Sequence, residues 1–194
     1  SESPDPKTMP ITTAMWHYAR GMAHASKGDL SQAMSERDKM LAIKTKLPPD
    51  TMLGMLNKAD HVLSIAQRTL DAKIATKQKN YADAERQLRE AVALEDDLTY
   101  MEPPDWLSPS RESLGGLLLQ ANKPADAEKV FREDLDRNPR GGRSLFGLQK
   151  APESALQLEG VRVTPIDVHS GTSKFDLTID MQEIGDEMQG LMEY

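Results

Sequence analysis

The chain has 194 residues, 38% of them hydrophobic and 28% charged, which is enough to bury a core in one domain with or without an appendage. A net charge of −7 with no basic stripe argues against a nucleic-acid partner, because the chain as a whole repels phosphate. With no cysteine there is no disulfide frame, no thiolate nucleophile and no sulfur ligand for zinc, and no apolar run approaches the ~18 residues of a membrane span.

Ser1 to Pro10, SESPDPKTMP, holds three prolines and little to bury, so it reads as a linker entering a first helix at Ile11 or Thr12. It has neither the basic start nor the apolar middle of a secretion signal. A cytoplasmic location is expected, with periplasm or secretion left open. Ala14 to Ile43 reads as a first helical pair. Pro48, Pro49 and Asp50 form a start signal, after which Thr51 to Leu56 is either the opening of a long helix or a separate short one. That long helix is expected from about Asn57 or Lys58, because Val62, Leu63, Ile65, Ala66, Thr69 and Leu70 keep helical spacing. Ile65 to Val92 reads as a further helical pair.

Asp96 to Leu107, DDLTYMEPPDWL, has too many turn formers for a helix and carries Tyr100 and Trp106 in an extended stretch. The two aromatics are expected to cover the core where hairpins join; lining a binding surface is the alternative. Ser108 to Pro139 is the stretch most clearly patterned as two short antiparallel helices. Leu114, Gly115 and Leu118 share a face of the first, Asn122 to Pro124 breaks the pattern, and Ala127, Val130 and Phe131 resume it on the second. Gly115 and Ala127 are expected where the two backbones come close. Gly141 and Gly142 are read as ending a helix, and a last helix starts near Ser144.

After Pro152 the period changes. Val161 to Val168 and Lys174 to Gln182 alternate apolar and polar residues, as strands do, and Phe175, Leu177, Ile179 and Met181 share one side. Gly185 and Asp186 supply a turn before a returning strand with Met188, Met192 and Tyr194. The organisation is thus a linker over 1–10, a helical domain over 11–150 and a β segment over 151–194.

The hairpin of Ser108 to Pro139 resembles a tetratricopeptide repeat. The family's small residues fall on Gly115 and Ala127, its large ones on Leu114, Leu118 and Phe131, and its closing proline on Pro139, while Asp134 stands where a small residue is usual. The first pair matches at Gly21, Gly28, Leu30 and Ala33, and the second at Ala72, Tyr81, Ala84, Leu88 and Ala91. Ala33, Ala84 and Ala127 are equivalent and stand farther apart than uninterrupted 34-residue repeats would put them, so insertions separate the units. In the first pair His17, Arg20 and His24 replace large apolar residues, a polar stripe that is either solvated or made for an element not present. The blocks AMWHYARG, REAVALEDDLTYMEPPDW, SRESLGGLLL, FREDLDRNP and SLFGL resemble a group of bacterial tetratricopeptide-repeat proteins of no assigned activity. The implied fold is an all-α solenoid of antiparallel helical hairpins, with the small β-hairpin appended.

The implied function is that of an adaptor holding a protein or peptide segment on the concave surface. Carried over, that surface comprises Met15, Tyr18, Met22, Ala25 and Ser26, then Ala66, Thr69, Lys73, Thr76 and Lys77, then Glu112, Gly116, Leu119 and Gln120. Methionine and aromatic side chains suit an apolar segment, and the two lysines suit an acidic group. The places where chaperone-binding repeats carry their carboxylate clamp hold Tyr18, Met22, Leu70, Pro109 and Ser113, so a chaperone tail is not the expected ligand.

The tail resembles a segment of the condensation domain of nonribosomal peptide synthetases, through SGTSKFDLTIDMQE and GLMEY, without that domain's catalytic His-His sequence. This gives the alternative that the chain is a docking module or fragment of such an assembly. Self-association through the exposed strand edge is a third reading.

Catalytic constellations are not found. His17 and His24 are two helical turns apart, about 10.5 Å of rise, too far to share one metal ion. Ser110 or Ser113 with His61 or His169 has no strained turn or oxyanion loop. No enzyme activity, cofactor or metal is expected.

Overall fold

The computed structural model describes residues 3–139, 141–150, 178–184 and 187–193, the last two stretches by their backbone alone. Two compact units divide the chain, Ser1–Glu153 and Ser154–Tyr194. The described part of the first is mostly helical: α1 (Pro10–Lys27), α2 (Leu30–Lys44), α3 (Ala59–Lys77), α4 (Tyr81–Asp96), α5 (Ser110–Gln120), α6 (Pro124–Arg137) and α7 (Gly142–Lys150).

Local chemistry sets the helix ends. Pro10 and Pro124 stand in the first turns of α1 and α6, where a missing N–H costs nothing. Gly28 closes α1 at φ 85°, and Asn122 after α5 sits at φ 57°. The side chains of Asp29 and Asn80 cap α2 and α4, each accepting from a backbone N–H at 3.3 Å.

The helices pack as antiparallel neighbours. Ala25 and Ala33 flank the α1–α2 turn in one cluster with Leu70 and Ile74, while Ala14 and Met40, at the far ends of the same helices, share another with Val62, Leu63, Ile65 and Ala66. Ala72, Ala84 and Leu88 join α3 to α4, and Leu114, Leu118, Ala127 and Phe131 join α5 to α6. The three equivalent alanines, Ala33, Ala84 and Ala127, are all fully buried. Between pairs, α1 touches α3, α3 touches α5 and α5 touches α7, with α2 packing on α3 and α4 on α5.

Three expectations change. Thr51 to Leu56 is not helical: β1 (Met52–Leu53) and β2 (Asn57–Lys58) pair antiparallel around Gly54, whose φ of 64° a helix would not accommodate. Gly142 opens α7 instead of ending a helix, and Asp134 is the reason. Buried in α6, it accepts hydrogen bonds from Asn138 Nδ2 (3.0 Å) and Ser144 Oγ (2.6 Å), which holds the two helices together. A Cβ on Gly115 would meet the Phe131 ring first.

The third concerns the polar stripe of α1, which is not orphaned: α2 and its N-cap supply its partners, with His17 and His24 half-buried and Arg20 exposed. Glu36, 2% exposed, lies 2.6 Å from His17 Nδ1, accepts from Lys39 Nζ at 2.9 Å and has Arg20 Nε at 3.4 Å; His24 pairs with Asp29 at 3.3 Å. Burial pushes the Glu36 carboxyl up, but His17 and Lys39 outweigh it and hold the carboxyl below its ordinary value of 4.5. A lowered folded value stabilises above the unfolded pKa and loses that contribution as pH falls through the folded one. Glu36→Gln is therefore expected to lower the urea midpoint near neutral pH, with the gap to the parent closing below about pH 4. A gap of constant size from neutral to acid pH would exclude the ion pairing.

In the second unit the described residues form a hairpin, β3 (Thr178–Ile184) and β4 (Glu187–Glu193), with Thr178 opposite Glu193 and Ile184 opposite Glu187. The strand expected over 161–168, and Phe175 and Leu177, lie outside the described residues.

Candidate partner-binding face

The expected binding residues come from α1, α3 and α5, and the fold uses several of them for its own packing. Met15 and Tyr18 lie against the cluster that joins Ala14 to Leu63 and Trp106. The Tyr18 ring stands 5.7 Å from that of Trp106, tilted by 54°, and its hydroxyl shares a hydrogen bond with Thr69 Oγ1 at 3.2 Å. Burial raises the Tyr18 pKa, with the Thr69 hydrogen bond opposing. Thr69 is itself buried, and its proton is in reach of the carbonyls of Ile65 and Ala66 at 3.0 Å each. Ala25 and Ala66 are fully buried. The α1 end of the face is thus closed by the connection between α4 and α5, which drops Trp106 onto Tyr18.

The rest of the face is more open. Met22 is half-buried on Leu70 and Ile74, and Leu119 is half-buried on the cluster of Ala72 and Ala75. Lys73 is half-buried and Lys77 exposed, one turn apart on α3, and among the described residues no carboxylate pairs with either. Thr76 donates to the Ala72 carbonyl at 2.7 Å. A side chain at Gly116 would meet nothing within 4 Å, so space lies in front of α5. Glu112, pushed up by burial, has Arg143 Nη1 at 3.7 Å. The face therefore holds two cations without a described carboxylate partner together with half-buried Met22 and Leu119.

On α4 and at its junction with α5 and α6 the charges satisfy one another. A shallow depression on α4, lined by Ala82, Glu85, Arg86, Arg89, Glu90 and Ala93, has Arg89 on Glu85 at 2.8 Å and Arg86 on Glu90 at 3.0 Å. Where α4, α5 and α6 meet, Asp96 takes both guanidinium arms of Arg111 and one of Arg137, all at 2.7 Å. His61 Nε2 lies 2.8 Å from the Leu94 carbonyl, and Ser110 is buried with its N–H donating to Glu95. His169 lies outside the described residues. Among those residues no three His, Asp or Glu side chains gather as a metal site, and no helix is long and apolar enough to cross a membrane.

Sequence reasoning placed Trp106 correctly as core cover but did not separate it from Tyr100, which is 75% exposed. It missed Asn57, whose amide holds two connections together, and Glu36, which partners the α1 stripe. An Asn ahead of a helix reads as an ordinary turn former, and a Glu among other helix charges reads as solvated. No protein-family model matches the chain, and no solved structure matches it at a significant level.

Proposed function

We propose that the helical unit is a tetratricopeptide-like stack of helical hairpins that serves as a protein-protein adaptor. It holds an acidic, partly apolar peptide on the face of α1, α3 and α5 centred on Met22, Lys73, Lys77 and Leu119. The observation that carries this reading is the Lys73–Lys77 pair, uncompensated among the described residues and flanked by half-buried Met22 and Leu119. The stacked reading is supported by the order in which the odd helices touch and by the full burial of the three repeat alanines. Compared with the face expected from sequence, the proposed site lies toward the C-terminal ends of α1, α3 and α5, because Tyr18 and Thr69 are already bound to each other and to the protein's own packing.

A peptide-display library selected on the immobilised chain tests this. The expected binders carry Asp or Glu beside a Leu, Met or aromatic anchor, and their affinity falls with salt. Lys73→Glu with Lys77→Glu, at a half-buried and an exposed position of α3, is expected to weaken them at least about tenfold, the size of losing charge-assisted contacts, with an unchanged circular dichroism spectrum. Binders indifferent to the double change, or a library yielding none, would overturn the placement.

A further inference from the structure

The largest exposed apolar groups of the helical unit gather at two connections, neither of which supplies a residue of the proposed Met22, Lys73, Lys77 and Leu119 site. Of eight large hydrophobic residues exposed among those described, five lie here: Met52, Met55 and Leu56 in 51–58, and Tyr100 and Leu107 in 97–107. Met55 is 80% and Leu107 77% exposed, so these side chains contribute almost nothing to the core.

The two connections are locked into one surface. Asn57 is buried, donates from Nδ2 to the Thr99 carbonyl (2.9 Å) and to Asp105 Oδ2 (2.7 Å), and accepts at Oδ1 from the Thr99 N–H (2.8 Å). The β1–β2 pairing and the bond from Ala59 N–H to the Thr51 carbonyl (2.8 Å) fix the first connection. A Cβ built on Gly54 would lie 3.7 Å from both Met101 Cε and Asp105 Oδ1, so its turn rests on the second. Trp106 anchors that second connection in the core. An apolar surface held in place by hydrogen bonds loses little entropy on binding, which is the property of a docking site and not of a slack loop.

The rim of this surface is acidic. Asp97, Glu102 and Asp105 have no Lys or Arg partner among the described residues, and residues 97–107 contain no basic residue at all. Glu102 accepts from the Tyr100 hydroxyl and Asp105 from Asn57 Nδ2, so both carboxylates are held within the second connection. On the other side Asp50 and Lys58 neutralise each other at 2.9 Å, leaving Lys46 as the single unpaired cation of the 45–58 connection. A second copy of the chain, at net charge −7, and an anionic membrane surface are both repelled by such a rim.

We propose that this surface is a second docking site, and that its occupant is a basic amphipathic segment of another protein, with Leu or Met side chains over Met55, Leu56, Tyr100 and Leu107 and Lys or Arg against Asp97, Glu102 and Asp105. It stands independently of the α3 site and has the opposite charge preference, so the two sites together would let one chain join two dissimilar partners.

The test is fluorescence anisotropy of the full chain with three labelled synthetic helices of about 18 residues, long enough for four to five turns. One is Leu/Lys amphipathic, one is Leu/Glu amphipathic, and one has the Leu/Lys composition scrambled out of register. The amphipathic Leu/Lys helix is expected to bind at least tenfold tighter than its scrambled form, while any binding of the Leu/Glu helix, which belongs to the α3 site, is expected to persist in the Met55→Ser, Leu56→Ser, Leu107→Ser variant. That triple serine variant keeps the net charge and is expected to weaken Leu/Lys binding at least tenfold, whereas Phe146→Ser, an exposed apolar residue elsewhere, leaves it unchanged. Asp97→Asn with Glu102→Gln is expected to flatten the salt dependence. Equal binding of the Leu/Lys helix and its scrambled form, no binding of the Leu/Lys helix by the parent chain, or Leu/Lys binding that survives the triple serine variant would each overturn the proposal. So would light scattering that finds a dimer in the parent and a monomer in the triple variant, since a second copy would then be the occupant.

Discussion

Trp106→Ala is expected to lower the stability of the helical unit by about 3–5 kcal/mol, the range for emptying a buried aromatic site. Trp106 is 8% exposed and shares one cluster with Ala14 of α1, Met40 of α2, Val62, Leu63, Ile65 and Ala66 of α3 and Ala91 of α4. A single side chain from a connection therefore fills a space bounded by four helices, and no neighbouring apolar group can collapse into it without moving one of them. Its Nε1–H has no hydrogen-bond partner among the described residues. Trp106→Phe thus forfeits no hydrogen bond and is expected to keep most of the stability, at a cost under about 1.5 kcal/mol if the smaller ring repacks. Urea denaturation followed by circular dichroism measures both, since fluorescence would mix in Trp16. An alanine variant within 1 kcal/mol of the parent would mean that the connection is not anchored, and the locked loop surface would lose its support.

The second large effect is at Phe131, whose ring lies between two glycines. A Cβ on Gly115 of α5 would sit 2.8 Å from Phe131 Cδ1 and closer to Cε1 and Cζ, and one on Gly147 of α7 would sit 2.6 Å from Cε1. Glycine to alanine inside a helix ordinarily stabilises by about 1 kcal/mol. Here the ring cannot retreat from one added methyl without meeting the other glycine's backbone, so each substitution is expected to destabilise, by about 1–3 kcal/mol. Phe131→Leu should remove most of that penalty, giving a coupling of about 1–3 kcal/mol in a double-mutant cycle. If Gly115→Ala and Gly147→Ala both raised the urea midpoint of the parent, the ring would not be wedged as described. The same geometry explains why α7 packs on α6 at all: it contributes Gly147 to the ring and Ser144 to Asp134, and exposes Leu145 and Phe146.

These two sites mark the limits of what spacing conveys. Small residues at Ala33, Ala84 and Ala127 locate the helix pairs, and each is fully buried. Helix ends follow equally local rules, which is why Pro10, Asn122 and Pro124 fall where breaks were expected. By contrast, Thr51 to Leu56 was read through Pro48, Pro49 and Asp50 as a helix start, whereas the chain there turns back on itself because Asn57 finds its partners in residues 99–105. The binding face was legible as a set of positions but not as an available surface. Spacing puts Tyr18 and Lys73 on one face, and only the arrival of Trp106 from far along the chain removes the first and leaves the second.

The amino-acid sequence alone determined the helical hairpins, their small-residue contacts, and the switch to strand periodicity that becomes β3 and β4, because each is written in intervals of a few residues along one element. Tertiary structure decided which polar groups are spent and which stay free. Glu36 serves the α1 stripe, Asp134 serves α7, Asn57 ties two connections, and Lys73 and Lys77 remain without a described partner. A charge's partner lies across space and not along the chain, so residue spacing cannot reveal whether that charge is already neutralised.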